Sequence, residues 1–251
     1  MSQQILVPTL MYHCVDDEIK AKNIVTRQRF AEQLAALIDS GYKTITLEHY
    51  VEIVRNKIPP QEKSILLTFD DGYEDFYINA WPILQKFDAK AVVFLVTEYI
   101  GQLNWWNHKV PYFKRHLSWS QVADLKEKGI SFGGHSTAHH NLAKFDADYI
   151  RQDLVVNKSA IEQQIGSPIQ AFCYPYGDYT EAAQSVVREL FSVAFSVNQG
   201  SLDYHIDRYA INRFAADHPK YDAGHLIEVL DEFTYSSSVA GDESVIIRKQ
   251  P

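Results

Sequence analysis

The sequence has few cysteines, no long apolar run and no concentration of positive charge, and each absence excludes a class of protein. Cys14 and Cys173 are the only cysteines among 251 residues, too few for a disulfide-dense secreted scaffold, although they leave one bridge open. No apolar run is long enough to cross a bilayer. Residues Met1 to Asp17 lack the regions of a secretory signal peptide. If Met1 is the native start, the sequence predicts a cytoplasmic protein.

Charge and composition argue against nucleic acid as a partner. The chain has 24 basic and 32 acidic side chains, a formal net charge of −8, and no Lys/Arg-rich run. A protein that binds a phosphate backbone needs a basic surface. Hydrophobic residues make up 46% of the chain and charged residues 22%, which is typical of a globular protein. We therefore expect no nucleic-acid partner and no transmembrane segment, and the oligomeric state stays open.

Short apolar runs alternate along the chain with amphipathic segments of helical period. The runs predicted as strands are 5–11, 43–46, 64–69, 91–96, 130–133, 170–174, 192–197, 208–212 and 244–248. The segments predicted as helices are 27–40, 47–56, 75–87, 119–128, 148–165, 180–190 and 219–233. This order predicts a parallel sheet covered by helices, and seven or eight such units favour a barrel. No change in composition marks a boundary, so residues 1–251 are expected to form a single domain.

One segment, residues 97–118, interrupts the alternation. It contains Trp105, Trp106, Tyr112 and Phe113 without a clear period, and we interpret it as an insertion or lid. Aromatic rings stack on the faces of pyranose sugars, which would suit a carbohydrate substrate. Ordinary packing within the insertion is an equally good explanation of these rings.

In α/β barrels the functional residues follow the C-terminal ends of the strands. Asp70 and Asp71 come directly after the predicted strand at 64–69, and His13 follows the first predicted strand. Adjacent side chains on an extended chain point in different directions, so one carboxylate could bind a metal while the other handles a proton or water. A plain turn at the end of a strand is the alternative for the Asp-Asp-Gly sequence.

Two histidines four residues apart suggest a metal site. On a helical turn this spacing would place His135 and His139 on one face, close enough to share a metal. Surface histidines in a polar loop, or a histidine at a helix end, are the alternatives. With an aspartate available at another strand end, a site of two histidines and one carboxylate with open positions for water is favoured.

A third motif, Pro175-Tyr176-Gly177, follows the predicted strand at 170–174. Proline and glycine predict a tight turn, and the backbone N–H groups of such a turn could face a substrate. Taken alone, this motif is better explained as a simple turn between a strand and a helix.

Together and in this order, the motifs resemble those of the NodB-like polysaccharide deacetylases, carbohydrate esterase family four. Residues 68–72 (TFDDG) match the first family motif, 135–139 (HSTAH) match the H-[ST]-x-x-H motif, and 174–177 (YPYG) match the end of the third. Residues 11–13 (MYH) resemble the start of the subgroup that deacetylates poly-N-acetylglucosamine of biofilms. The resemblance extends over about residues 10–212.

The resemblance implies a fold, an activity and a cofactor. The fold would be a single distorted (β/α)7 barrel. The activity would be metal-dependent removal of N-acetyl groups from an N-acetylated sugar or polysaccharide of the N-acetylglucosamine type, with release of acetate. Asp71, His135 and His139 would bind a divalent metal, for which we expect Zn²⁺, with Co²⁺, Ni²⁺ or Fe²⁺ as alternatives.

The resemblance also implies the remaining roles at the site. Asp70 would be the general base. The backbone N–H of Tyr176, held between Pro175 and Gly177, would line the oxyanion hole and contact the substrate.

The sequence departs from the family pattern at two places. The third family motif often carries an arginine that contacts the base, and Cys173 stands near that place here. The late motif, whose histidine supplies the general acid, has no match, since the predicted strand at 244–248 contains no histidine. We hypothesise that His13 is the acid, because it should lie at the same mouth and because an unperturbed histidine has a pKa of about 6.5. A hydrogen bond from His13 to a neighbouring loop is the alternative, and His218 and His225 are weaker candidates.

Two other functions stay open at this point. One is hydrolysis of another amide, such as a cyclic ureide or a small N-acyl compound, on the same metal site. The other is glycan binding by a non-catalytic relative. A site that only binds glycan would need just the aspartate that holds the metal. The presence of both Asp70 and Asp71 therefore argues against it. Acetate release from N-acetylglucosamine oligomers would separate deacetylation from both alternatives.

Overall fold

The computed structural model describes residues 7–58, 60, 62–104, 113–198 and 207–239, with residues 233–239 by their backbone only. The strands are β1 (Thr9–Tyr12), β2 (Cys14–Val15), β3 (Ile24–Val25), β4 (Lys43–Thr44), β5 (Ser64–Phe69), β6 (Val92–Leu95), β7 (Ser131–Gly134), β8 (Ala171–Cys173), β9 (Val193–Phe195) and β10 (Phe214–Ala215). The α-helices are α1 (Arg27–Asp39), α2 (Leu47–Asn56), α3 (Trp81–Lys86), α4 (Trp119–Glu127), α5 (Ala147–Ile165), α6 (Glu181–Leu190) and α7 (Ala223–Val239). The strand expected at 244–248 and the aromatic residues Trp105, Trp106 and Tyr112 lie outside the described residues.

One parallel sheet organises the fold. Its strands follow the order β10-β1-β5-β6-β7-β8-β9, and β4 pairs with the start of β5. Ile211, just before β10, forms a parallel bridge to Phe195 at the end of β9. The sheet therefore curls back toward its first strand, and with its helices it forms the distorted (β/α)7 architecture that the sequence analysis expected. The fold class is confirmed.

The alternation of side chains along the strands explains why both faces of the sheet are apolar. Along β5, Ile65, Leu67 and Phe69 belong to a large buried cluster beneath the helices, whereas Leu66 belongs to a second cluster on the opposite face. Side chains of successive strand residues point to opposite faces, so a sheet covered on both sides reads as a continuous apolar run. The loops at the strand ends are therefore attached to strands that are packed on both faces.

The structure corrects the expected end of the sheet. Residues 208–212 are not a strand, and only Ile211 forms a bridge there. The last described strand is β10, which pairs in parallel with β1. The reason is that the chain turns near Asp207, whose Oδ1 accepts a hydrogen bond from Tyr209 N at 3.0 Å. In the described part of the chain, no helix has both the length and the apolar character needed to cross a bilayer.

The segment at 97–118 is described at its two ends. His116 bridges Tyr73 in antiparallel fashion, in the loop that follows β5. Lys114, nearly buried, forms an ion pair of 2.5 Å with the buried Asp75 in the same loop. The ends of the expected insertion are therefore fixed beside the residues that follow the Asp-Asp-Gly motif.

Candidate metal and catalytic site

The residues singled out from the sequence come together at the carboxyl edge of the sheet. His13 follows β1, Asp70 and Asp71 follow β5, His135 follows β7, and Tyr176 lies just after β8. All these strands are parallel, so their carboxyl ends meet at one mouth of the barrel. The fold thus assembles one site from residues that are far apart in the sequence.

Asp71, His135 and His139 converge on one point. The Oδ1 atom of Asp71 lies 3.3 Å from Nε2 of His135 and 3.2 Å from Nε2 of His139, and one ligand atom from each residue lies within 4.8 Å of the others. Within the described residues, this buried Oδ1 atom has no hydrogen-bond donor of proper geometry. Burial would raise the pKa of Asp71, but the imidazoles outweigh burial and hold it well below its usual range. An ionised oxygen that faces two imidazole nitrogens fits a divalent cation.

Neighbouring groups fix the orientation of both imidazole rings. Nδ1 of His135 lies 2.8 Å from the carbonyl oxygen of Cys173, so the proton on this nitrogen is donated to the carbonyl. Nε2, the nitrogen that would bind a metal, then faces Asp71. The ring of His139 packs edge-on against Tyr176, with 4.5 Å between the ring centroids.

A turn between the two histidines brings their side chains together. The helical turn expected from their spacing is wrong. Residues 136–138 form the turn, and Ser136 and His139 are left-handed, with φ of 62° and 57°. Asp71 and Tyr176 are also left-handed, with φ of 70° and 63°. Such backbone is uncommon outside glycine and tends to occur at functional sites. Here the left-handed backbone directs the side chains of these residues toward the same mouth of the barrel.

Asp70 lies close to His135 and binds an arginine that the sequence analysis missed. Its two oxygens accept hydrogen bonds of 2.7 Å each from Nη1 and Nη2 of Arg213, and both residues are buried. Burial would raise the pKa of Asp70, but Arg213 outweighs burial and lowers it. Cys173 contacts both residues. Its Sγ atom is 3.4 Å from Asp70 Oδ2 and accepts a hydrogen bond from Arg213 Nη2 at 3.1 Å. The place expected to hold an arginine thus holds a thiol, and the arginine comes from the other end of the chain.

His13 also has an ionic partner that the sequence analysis missed. Its Nδ1 atom lies 2.7 Å from Oδ2 of Asp217, which is almost fully buried. Burial would lower the pKa of His13, but Asp217, helped by Asp70 and Asp71, raises it to about 9. His13 is therefore protonated at neutral pH. The hydrogen bond to a neighbouring loop, which the sequence left open as the alternative role of His13, exists, and its acceptor is a carboxylate.

The segment around β10 carries both missed residues. Pairing of β10 with β1 brings Asp217 beside His13, and the side chain of Arg213 reaches Thr68 Oγ1 at 3.0 Å. The available signal was the short apolar stretch 214–216, preceded by Arg213 and followed directly by Asp217. It repeats the pattern of an apolar strand followed by an acidic residue that singled out Asp70.

The loop after β8 is held rigidly. Pro175 and Gly177 are buried, whereas Tyr176 is about half exposed. Gly177 has φ of 73°, and a side chain there would meet the backbone nitrogen of Val197 at 2.9 Å. Only glycine fits this position, so the backbone of Tyr176 is fixed relative to His139.

Comparison with known proteins shows the family to which the chain is related. A family model described as polysaccharide deacetylase matches residues 57–192. The protein YxkH of Bacillus subtilis (strain 168), named for that family, is 26% identical over 208 residues, which cover 82% of this chain and 70% of YxkH. A poly-β-1,6-N-acetyl-D-glucosamine N-deacetylase of Staphylococcus aureus is 25% identical over 219 residues, which cover 80% of this chain and 73% of that protein.

Two solved structures have the same fold. The Streptococcus pyogenes deacetylase PplD, in complex with acetate, superposes with a TM-score of 0.80 at 26% identity, over 90% of this chain and 98% of that one. IcaB from Ammonifex degensii gives a TM-score of 0.74 at 23% identity, over 85% and 92% of the two chains. The family model spans more than half of this chain. The chain therefore belongs to the polysaccharide deacetylase family, and it is a carbohydrate N-deacetylase.

Proposed function

We propose that this chain removes N-acetyl groups from a β-1,6-linked polymer of N-acetylglucosamine and releases acetate. The observation that carries the proposal is the convergence of Asp71, His135 and His139 at the mouth to which the loops with Asp70 and His13 also belong. Similarity to a poly-β-1,6-N-acetyl-D-glucosamine N-deacetylase over 80% of the chain supports this substrate.

The metal ligands would be Asp71, His135 and His139, and Zn²⁺ is the expected cation. Co²⁺, Ni²⁺ and Fe²⁺ accept the same nitrogen and oxygen donors. Asp70, His135 and Cys173 also lie close enough to hold a metal, but the positive charge of Arg213, which hydrogen-bonds both oxygens of Asp70, would repel a cation there. When bound, the cation supplies a Lewis acid that polarises the acetamide carbonyl and activates water.

Asp70 would act as the general base. The two hydrogen bonds from Arg213 keep its carboxylate ionised and fix its orientation, so it is ready to take a proton from the attacking water. Because Asp70 and Asp71 point to different partners, one binds the cation while the other moves the proton.

The turn after β8 would stabilise the charge that develops on the acetamide oxygen. The backbone N–H of Tyr176 would donate a hydrogen bond to that oxygen, and the buried Pro175 and Gly177 fix the position of the donor. A donor that is already oriented contributes without reorganisation during the reaction.

His13 would supply the proton that the leaving nitrogen needs, since an amine leaves poorly as an anion. Asp217 accepts the hydrogen bond from Nδ1, so Nε2 carries the proton that is delivered. The same carboxylate keeps the imidazole protonated at neutral pH. His13 follows β1, the strand adjacent to β5, which precedes Asp70.

The test is acetate release by the Zn²⁺-loaded chain from β-1,6-linked N-acetylglucosamine oligomers, with β-1,4-linked oligomers of equal length in parallel. We expect faster release from the β-1,6-linked series. Equal or faster release from the β-1,4-linked series would overturn the assigned polymer. A chain that binds Zn²⁺ but releases acetate from neither series would overturn the proposed function.

A further inference from the structure

The turn that carries the two histidines depends on contacts from outside itself. Two of its residues, Ser136 and His139, have left-handed backbone. One local contact is the hydrogen bond of 2.9 Å from His140 N to Ser136 Oγ. Residues in such sparsely populated conformations persist only when the surrounding structure fixes them. The source of this support decides how precisely His135 and His139 face each other.

Asn157, in the middle of α5, contacts the turn directly. Its Nδ2 atom donates to the carbonyl oxygen of Ser136 at 2.7 Å and to that of Leu95 at 3.1 Å, and it lies 3.2 Å from Thr97 Oγ1. Leu95 O also accepts a hydrogen bond from His135 N. Asn157 is fully buried. One amide therefore joins the end of β6 to the residue that follows the first histidine.

Asp153 lies one helical turn before Asn157, on the same face of α5. Its carboxylate accepts hydrogen bonds from Thr137 N at 3.3 and 3.2 Å and from the hydroxyl of Thr137. It also lies 3.1 Å from Nδ1 of His140. Asp153 and Asn157 thus contact the turn at three residues, Ser136, Thr137 and His140.

These contacts are not what packing alone would favour. Within the described residues, Oδ1 of Asn157 is buried without a hydrogen-bond partner, and an unsatisfied buried acceptor destabilises a fold. Gly134 is also needed to admit the amide, because a Cβ at that position would lie 2.5 Å from Asn157 Oδ1. A leucine in place of Asn157 would leave no unsatisfied atom of its own.

We propose that Asn157, together with Asp153, is a positioning residue for the metal site. The two side chains hold residues 136–140 in the conformation that directs Nε2 of His135 and His139 toward Asp71, and they thereby set the affinity for the cation. This inference rests on the metal assignment of the proposed function. Removal of a group that orients a metal ligand by hydrogen bonding typically weakens metal affinity by about 10–100-fold.

The test measures Zn²⁺ affinity by competition with a chelating dye, on the full chain after removal of bound metal. For Asn157→Leu we expect the Kd to rise about 10–100-fold, while the Tm of the metal-free chain shifts by no more than about 4 °C. The matched control is Gln33→Leu, because Gln33 is another fully buried amide that donates to two carbonyls, those of Ala216 and Tyr221. It should lower the Tm and leave the Kd unchanged.

A Kd for Asn157→Leu within about twofold of wild type would overturn the inference, as would an equal loss of affinity in Gln33→Leu. If Asn157→Leu does not fold, Asp153→Asn takes its place, since it keeps the volume and one acceptor oxygen, and an unchanged Kd there also overturns the inference. Failure of the proposed function is distinguishable, because a wild type that binds Zn²⁺ without releasing acetate leaves the Kd comparison intact. A wild type that binds no Zn²⁺ would overturn both.

Discussion

The site has two halves that the chain assembles in different ways. The proposed metal half consists of Asp71 and the two histidines of the motif at 135–139, and Nδ1 of His135 faces the carbonyl oxygen of Cys173. The proposed proton-transfer half consists of Asp70 and His13, and each of them is paired with a charged residue from the segment 213–217.

The two halves have different structural requirements. The metal half needs ligand atoms at the right separation, which short motifs supply. The proton-transfer half needs one group kept ionised and another kept protonated, and buried partners of opposite charge achieve this. Changes to the metal half should therefore remove the cation, whereas changes to the other half should leave it bound and alter rate or pH dependence.

The largest effect is expected from breaking the metal half with His135→Ala/His139→Ala. Two of three ligands are lost, so metal content should fall to background and acetate release with it. Elemental analysis of the purified variant measures this directly. The exposed His225 of α7 provides the control, since His225→Ala should keep full metal content. Full occupancy in the double variant would refute the ligand assignment.

The next largest effect is expected from Asp70→Asn, which tests whether the two adjacent aspartates are separate in function. The variant should retain its metal and lose about 10²–10⁴-fold in rate, because loss of a general base typically costs that much. Metal content and acetate release are measured on the same sample. Turnover close to that of wild type would reject the role of Asp70.

Arg213→Met should affect both stability and pH dependence. Removing one partner of a buried ion pair costs about 3–5 kcal/mol, whereas Arg151→Met, which breaks an exposed pair with Glu189, should cost about 1 kcal/mol or less. Urea unfolding at pH 7 measures both values. Without Arg213, burial raises the pKa of Asp70, so the acid limb of the kcat/KM profile should move to higher pH.

The sign of the Arg213 effect can be checked independently. The pair lowers the pKa of folded Asp70, so its stabilisation is present above the ordinary carboxyl pKa of about 3.9 and is lost as the pH falls through the lowered value. The stability difference between wild type and Arg213→Met should therefore shrink in acid. A constant difference down to strongly acidic pH would argue against the ion pair as its cause.

His13→Ala should reduce kcat by about 10²-fold, the lower end of the range for proton transfer, with normal metal content. The alkaline limb of the pH–rate profile should disappear, since that limb reports loss of the proton on the acid. Persistence of the limb in this variant would assign the acid to another group.

Asp217→Asn should lower the rate at neutral pH less than His13→Ala does, because the imidazole is still present, and its clearest effect should be on pH dependence. Asp217 contributes to raising the pKa of His13 to about 9, so the alkaline limb should move to lower pH in the variant. The pair should stabilise the fold fully below the unfolded histidine pKa of about 6.5 and lose this contribution as the pH rises through about 9. The Tm difference from wild type should therefore be larger at pH 6 than at pH 10. An unmoved limb would show that Asp217 does not control His13.

Sequence patterns predicted continuous apolar strands better than the turns that follow or interrupt them. The strand at 64–69 agrees with the structure in both bounds, because its apolar run ends at the charged pair that follows it. The expected strand at 208–212 was wrong, because the run there also contains polar residues that turn the chain. The spacing of His135 and His139 suggested a helix, but the chain forms a turn with left-handed residues, and periodicity does not report such a conformation.

The sequence by itself determined the alternation of strands and helices, the acidic and imidazole groups at strand ends, and thereby the chemistry available at the mouth. Tertiary structure alone decided which charges face each other. Asp70 and Arg213 are 143 residues apart, and His13 and Asp217 are 204 apart. Their contacts exist because β10 pairs with β1 at the closing edge of the sheet. Local sequence carries the preference of a segment to be a strand, whereas the choice of its neighbour depends on how the whole chain buries its apolar surface.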